Sequence, residues 1–504
     1  MSICIFSKKN PMSKKILFWF SSDFTQFLVA SKINQFVDCE SYAIIDVPDK
    51  AKNFFNTQKI VNLKKFWFFH DNISSKKTPD LEYLKNFEKK YKIDLWKLAI
   101  NERTFYRFFN FHNFSQNEVL SILETECRFF ESILNEIKPD HIIMKEPGFQ
   151  HLEVFYEMCK NLGEKILLVT YPNFGYKCLI SSTPQTFDEL QSLENISGKF
   201  KTLENLISYK NSFDYNKQVL TANLDWDIKP VSILKAGLKF LFQSNSNINS
   251  HYTYYGRKKL SVVKFMLKNY FLRFYRGNFL NKNSLQNVDL DTNFLYFPLS
   301  LDMERNLLLT APLTNNQIEI IRNISKLLPI NFKLIVKEHP DQISRDWRSI
   351  KEYSDIMTLP NVEFVHTKFP PKELIKKCSA IIGIGGTTGL EASFFGKPTI
   401  LFSKVGYSLL PWVFQVTDIN QLPEIIDEAI NTEVNIDYLD KYLTYLDENT
   451  FDFDLFKLHS DIKDVLYLGG QLIDNEIDPQ LLEKLMKSHE ANIIKLTEEH
   501  VKKL

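Results

Sequence analysis

Between residues 293 and 403 the chain alternates short apolar runs with helix-like runs, and few folds tolerate that pattern. NFLYFPL (293–299), FKLIVKEHP (332–340), VEFVHT (362–367), SAIIGIGG (379–386) and KPTILFS (397–403) read as buried strands. TNNQIEIIRNISKLLP (314–329), PPKELIKKC (370–378) and TTGLEASFFG (387–396) read as the helices between them. Apolar strands separated by helices call for a parallel sheet covered on both faces. The N-terminal half repeats the pattern. KKILFWF (14–20) precedes a helix-spaced run, and SQNEVLSILETECRFFESILNEI (115–137) leads into HIIM (141–144). A further helix, closed by Gly163, leads into LLVTYP (167–172). The spacing predicts an α/β chain with two Rossmann-like domains.

At 504 residues the chain exceeds one hydrophobic core, in agreement with that division. Its net charge of +1 provides no basic field for nucleic acid. The six cysteines are scattered without a CxxC pair, a pattern of reduced thiols in a cytoplasm. The histidines show no HxH or HExxH spacing, so no metal and no cofactor is expected. No apolar run approaches the ~18 residues of a membrane span, and Ile16–Phe20 is too short for a signal-peptide core. A cytoplasmic location is the expectation, with residues 1–11 a dispensable extension.

Residues 228–288 differ from their surroundings. Eleven Lys or Arg occur there, from Lys229 to Lys282, and no Asp or Glu. GRKKLSVVKFMLKNYFLRFYRGNFL suits a basic amphipathic helix lying on an anionic membrane surface, or a helix crossing between two domains. The expected organisation is therefore an N-terminal domain (1–227), a basic helical linker (228–288), a second domain (289–430) and a helical tail (431–504).

GIGGTTGLEASFFGKP (383–398) holds four of the chain's 15 glycines within seven positions. Glycine is placed where backbone bends sharply or approaches something closely. A strand, a Gly-Gly-Thr-Thr turn and a helix form a ready site for phosphate at a helix N-terminus. Gly385 and Gly386 would let the backbone come close, Thr387 and Thr388 would donate hydroxyls, and Glu391 would accept from ribose. The same string also suits a tight turn with a threonine cap. Lys337-Glu338-His339-Pro340 ends another strand of the same sheet, so His339 should open onto the same edge.

In this order the segments resemble the capsule polysaccharide biosynthesis glycosyltransferases, a GT-B group that includes capsule Kdo transferases. The resemblance covers about 290–415. It implies two domains facing a cleft, with donor in the C-terminal domain and acceptor in the N-terminal one. It implies that Lys337, His339, Gly385, Gly386, Thr387, Thr388 and Glu391 hold the donor nucleotide and its phosphates. Pro298, Leu299 and Glu304 fit the family's Pro-Leu, four residues, Glu pattern, which sets Glu304 near the donor sugar. Where the family often has His-x-Gln-Pro, this chain has Ser300, Leu301, Asp302 and Met303.

The implied activity is metal-independent transfer from a CMP- or UDP-sugar to a growing surface or capsular polysaccharide. The acceptor would be an oligosaccharide or lipid-linked, and the enzyme cytoplasmic or peripheral on the inner face of the membrane. A nucleotide-sugar epimerase, a glycerophosphotransferase or a non-catalytic capsule-assembly partner would share the architecture. An inverting enzyme needs a carboxylate from the N-terminal half as general base. Asp23 and Glu146 each follow a strand and precede a helix, positions that equally suit a helix cap or a solvated loop charge.

Overall fold

The computed structural model describes residues 13–504 apart from 107–108, 185, 189, 191, 214–229 and 303. The expected extension at 1–11, Cys4, the boundary at 227/228, Lys229 and Met303 lie outside the described residues.

Two mixed α/β layers form the molecule. The first sheet has the order β13-β6-β5-β4-β1-β2-β3. Its strands β1 (Lys14–Ser21), β2 (Cys39–Asp46), β3 (Leu63–Phe68), β4 (His141–Lys145) and β5 (Ile166–Thr170) run parallel. β6 (Lys177–Ser181) is antiparallel to β5. The second sheet is parallel throughout, in the order β12-β11-β10-β7-β8-β9. It contains β7 (Phe294–Pro298), β8 (Lys333–Lys337), β9 (Val362–Val365), β10 (Ala380–Gly383), β11 (Thr399–Leu401) and β12 (Val413–Gln415).

The apolar runs are continuous because both sheet faces are covered. In β1, Ile16, Phe18 and Phe20 pack on one face, and Leu17 and Trp19 on the other. The helix Gln116–Ile137 covers the second of these faces and starts at a capping box between Ser115 and Glu118.

The helical tail folds back across the whole molecule. β13 (Phe451–Asp452) pairs with β6, and Leu458, Ile462, Leu485 and Ile493 enter the core beside Phe18 and Phe20. From β13 onward the tail packs on the N-terminal sheet, whereas its helix Ile436–Asn449 packs with Leu390, Phe394 and Trp412 of the second domain. Sequence periodicity identifies its helices but not their partner.

The basic region is helical at Pro230–Phe242 and Lys259–Asn283. Lys259–Asn283 bridges the halves. Phe265 packs on Phe111 at 5.0 Å, while Arg273 pairs with Asp346 at 2.7 Å and Arg276 donates to the Asp346 carbonyl. Of the two expectations for this stretch, the crossing between domains is what the contacts describe. Among the described residues no helix is long and apolar enough to cross a membrane.

Each sheet has a point where the chain order reverses: between β1 and β4 in the first, and between β7 and β10 in the second. Such switch points leave a crevice at the strands' carboxyl ends, where ligands of open α/β sheets bind. The two carboxyl edges face each other. The loop after β5 (Asn173–Gly175) lies against Thr387, Leu390 and Glu391, and Asn101 donates to the Pro312 carbonyl.

Candidate functional site

At the second switch point the glycines answer to three different demands. Gly386 has φ +93°, which L side chains avoid. A Cβ on Gly385 would lie 2.7 Å from the Ser403 hydroxyl, and one on Gly389 2.6 Å from that of Tyr407. Tyr407 in turn donates to the Gly386 carbonyl at 2.6 Å and holds the turn down. Thr387 occupies the N-cap position of the helix Thr388–Ser393 without capping it. Its hydroxyl instead faces the Glu391 carboxylate at 3.4 Å. Among the described residues nothing accepts from the amides of Gly386, Thr387 and Thr388. The turn therefore presents an edge of open donors and not the threonine cap that the string also allows.

β7 separates β10 from β8, so two strand spacings, about 10 Å, lie between the turn and the end of β8. Lys337 ends β8 with its side chain buried, and no carboxylate pairs with it among the described residues. Burial lowers its amine to about 8. The next residue turns into the sheet's other layer. Glu338 is 1% exposed and receives Arg348 Nε at 2.8 Å, the Tyr353 hydroxyl at 2.9 Å and the His339 amide at 2.8 Å. Arg348 also pairs with Asp302 at 2.7 Å and donates to the Ser300 carbonyl. Removing one partner of such a buried pair leaves an uncompensated charge, which costs about 3–5 kcal/mol. This network fixes both the loop after β7 and the loop after β8.

His339 comes out of that network half-exposed, at 38%. The Asp341 amide donates to its Nδ1 at 3.1 Å, so the neutral ring carries its proton on Nε2. Burial, Lys337 and Arg348 keep the ring neutral by lowering its basicity, against the pull of Asp341. His339 thereby offers one N–H donor at the edge. Glu304 stands beside Asp341 and Arg345. Burial raises its carboxyl, while Arg345 and, from the other domain, Arg103 pull it down.

The space around Thr387 and Glu391 is narrow. Asn173–Gly175 and Lys210 close over it and leave about 10 Å³, room for one water but not for a ribose. Burial raises the Glu391 carboxyl against the influence of Lys210 and Thr387. A ribose on Glu391 would require Lys210 and the 173–175 loop to withdraw.

The first switch point opens into a cavity of about 520 Å³. Lys145, from the end of β4, crosses to Asp23 after β1 at 3.2 Å and to the Ser21 hydroxyl at 3.1 Å. Asp23 also receives the Ser21 hydroxyl and the Thr25 amide. Burial alone would raise its carboxyl. Lys145, His459 and these hydrogen bonds outweigh that and hold it well below the ordinary range. A carboxylate so stabilised is a weak proton acceptor. Glu146 is not among the residues lining the cavity, and its charge contributes to raising the Cys178 thiol on β6, after burial and Asp454. Deeper in, Asp46 receives both His70 Nε2 at 3.0 Å and His151 Nε2 at 3.2 Å.

Residues 250–419 match the family model described as capsule polysaccharide biosynthesis protein. The match begins upstream of the motifs at 290 and takes in the helix Lys259–Asn283. No curated protein sequence matches the chain.

Solved structures match at great distance. The UDP-GlcNAc 2-epimerase of Methanocaldococcus jannaschii is 12% identical, covering 86% of this chain and 100% of its own, with a TM-score of 0.26. The β-Kdo 2,7 transferase KpsC of Thermosulfurimonas dismutans is 12% identical over 70% of this chain and 87% of its own, with a TM-score of 0.29. The HepE protein of Anabaena, solved with UDP and glucose, is 11% identical over 90% and 98%, with a TM-score of 0.24. Scores this low carry no argument about chemistry, so the site is read from the chain's own residues.

Within residues 250–419, the sequence motifs reach Lys337, His339 and the Gly-Thr turn but assign no role to Glu338 and Arg348. The visible signal was a glutamate wedged between two candidate ligands at a strand end. Lys145, Lys210 and the Asp46–His70–His151 cluster left no such signal, because their partners come from distant parts of the chain.

Proposed function

We propose that the protein is a glycosyltransferase that takes a sugar from a nucleotide-activated donor, CMP- or UDP-linked, and adds it to a growing surface or capsular polysaccharide. One observation supports this reading: the second switch point gathers hydrogen-bond donors along one edge, and the Lys337 amine there forms no ion pair among the described residues. Lys337 without a carboxylate, the His339 Nε2–H and the open amides of Gly386–Thr388 flank a span of about 10 Å, the scale of a nucleotide's phosphates. As the glycosidic bond to phosphate breaks, negative charge grows on the leaving oxygen. Fixed donors already aimed at that place stabilise it without reorganising. The acceptor would enter from the cavity across the cleft, with Glu304 near the transferred sugar. The general base is Asp23 or Glu146; the ion pair with Lys145 weighs against Asp23, and its place outside the cavity lining weighs against Glu146. No metal has a role in this scheme.

The partner expected from the basic stretch gains support from the Lys259–Asn283 helix. Its inner face is taken up by contacts with both domains. Tyr270, Phe271, Phe274 and Tyr275 point away, each 64–70% exposed. With Lys264 and Lys268 beside them and no acid in the helix, this face suits the surface of an anionic membrane. A cytoplasmic protein held at the inner leaflet fits that face.

A panel of CMP- and UDP-sugars, with oligosaccharide acceptors and excess EDTA, tests the proposal. Sugar transfer with release of free nucleotide is expected. A donor isomerised without acceptor would make the protein an epimerase, and transfer of glycerophosphate a glycerophosphotransferase. Tight nucleotide binding without turnover would make it a binding partner.

A further inference from the structure

The N-terminal cavity carries charge that its own residues do not neutralise. Its carboxylates, Asp23 and Asp46, are already engaged by Lys145 and by two histidines. Two guanidiniums remain, those of Arg103 and Arg257. Neither forms an ion pair among the described residues, and the Nε of each is buried without an acceptor. Burial lowers both, against the pull of Glu102 and Glu304 on Arg103, and a desolvated guanidinium with no carboxylate in direct contact is costly.

Aromatic rings flank both. Arg103 lies over the Phe149 ring at 4.4 Å and donates Nη2 to the Gly148 carbonyl. Arg257 lies against Phe109 at 5.1 Å and Tyr254 at 5.4 Å. Stacking of this kind orients the planar fork and leaves its edge for an oxyanion. Besides Glu102 beside it in the chain, Arg103 feels Arg345 and Glu304 of the opposite domain, which sets it on the side of the cavity towards that domain.

From this geometry we infer that the N-terminal cavity binds an acceptor bearing an acidic group, with Arg103 and Arg257 as its counter-ions. The group is an oxyanion: the carboxylate of an acidic sugar, or a phosphate on a sugar or lipid carrier. This deepens the glycosyltransferase reading and rests on it for the word acceptor. The anion site itself stands on the two arginines. Anchored there, an acidic residue of the growing chain would lie beside the cleft, with a hydroxyl free for transfer.

The test is an NMR titration of the full chain with glucuronate, glucose 6-phosphate and neutral glucose. At least one charged probe should bind about ten-fold or more tightly than glucose, the worth of one charge-assisted contact. Which of the two leads distinguishes a carboxylate from a phosphate. Arg103→Met and Arg257→Met, which keep the apolar stem, should each remove that advantage and leave UDP or CMP affinity unchanged. Arg257→Lys, which keeps charge without the fork, should retain only part of it. Equal binding of all three probes by the wild-type protein would overturn the inference, whatever the variants do. So would folded methionine variants that keep the preference. Failure to bind any nucleotide would count against the glycosyltransferase reading alone.

Discussion

Lys337 is the residue through which the proposed donor site can be interrogated most directly. Its amine is held at about 8 by burial, and its protonated form is the one that attracts phosphate. Nucleotide affinity should therefore fall as pH rises from 7 to 9 and the amine loses its charge. Lys337→Met should bind nucleotide about ten-fold or more weakly at pH 7, the loss of one charged hydrogen bond, and show no such fall. Calorimetry at the two pH values checks both statements; a variant as tight as wild type would remove Lys337 from the site. A second titration concerns stability. His500 is fully buried, with Nδ1 on the Leu496 carbonyl at 2.8 Å and Nε2 unsatisfied, and burial lowers its value to about 4. Between pH 6.5 and 4 the unfolded chain binds a proton there that the folded chain refuses, so stability falls as pH falls through that window. The penalty at pH 5 relative to pH 7 is about 2 kcal/mol. His500→Leu should reduce the acid loss by that amount in urea unfolding at the two pH values. An unchanged pH slope would contradict the burial argument.

Among the elements, the strand-turn-helix units of the second sheet are the most legible from sequence. β7, β8 and β10 fall within the apolar runs at 293–299, 332–340 and 379–386, because strands buried on both faces leave no other reading. The weakly marked strands escape it. β2 and β3 carry Glu40, Ser41, Lys64 and Lys65 among their apolar residues, and β13 is two residues long. The Lys259–Asn283 helix is legible as basic and amphipathic, but sequence leaves its two surroundings undivided. The structure assigns the inner face to the domains and leaves Tyr270, Phe271, Phe274 and Tyr275 outward. Sedimentation with liposomes should show binding to anionic and not to neutral vesicles. Each basic residue near the surface contributes about 1 kcal/mol at low salt, so binding should weaken as salt rises. Replacing Phe271 and Phe274 by Ser should abolish it without lowering stability, since both are about 70% exposed. Equal sedimentation with both kinds of vesicle, or with neither, would leave the helix as a bridge alone.

Across the whole molecule, the two-domain plan is readable in the alternation of strands and helices, and its closure is not. No local pattern shows that the tail returns to β6, that Lys210 and the 173–175 loop press on the Gly-Thr turn, or that Arg103 reaches towards Glu304. These are contacts between segments hundreds of residues apart, and they decide which carboxylates face which cavity. Asp23 reads from sequence as a candidate base, a helix cap or a solvated loop charge, and none of these shows that Lys145, 122 residues away, binds it. The same closure bears on the central claim, because a nucleotide cannot reach Glu391 while the halves are shut. A crystal structure with UDP or CMP bound tests that claim most directly. The phosphates should lie on the amides of Gly386–Thr388, within reach of Lys337 and the His339 Nε2–H, with Lys210 and Asn173–Gly175 drawn back. A nucleotide seated instead in the N-terminal cavity, against Arg103 and Arg257, would contradict the account.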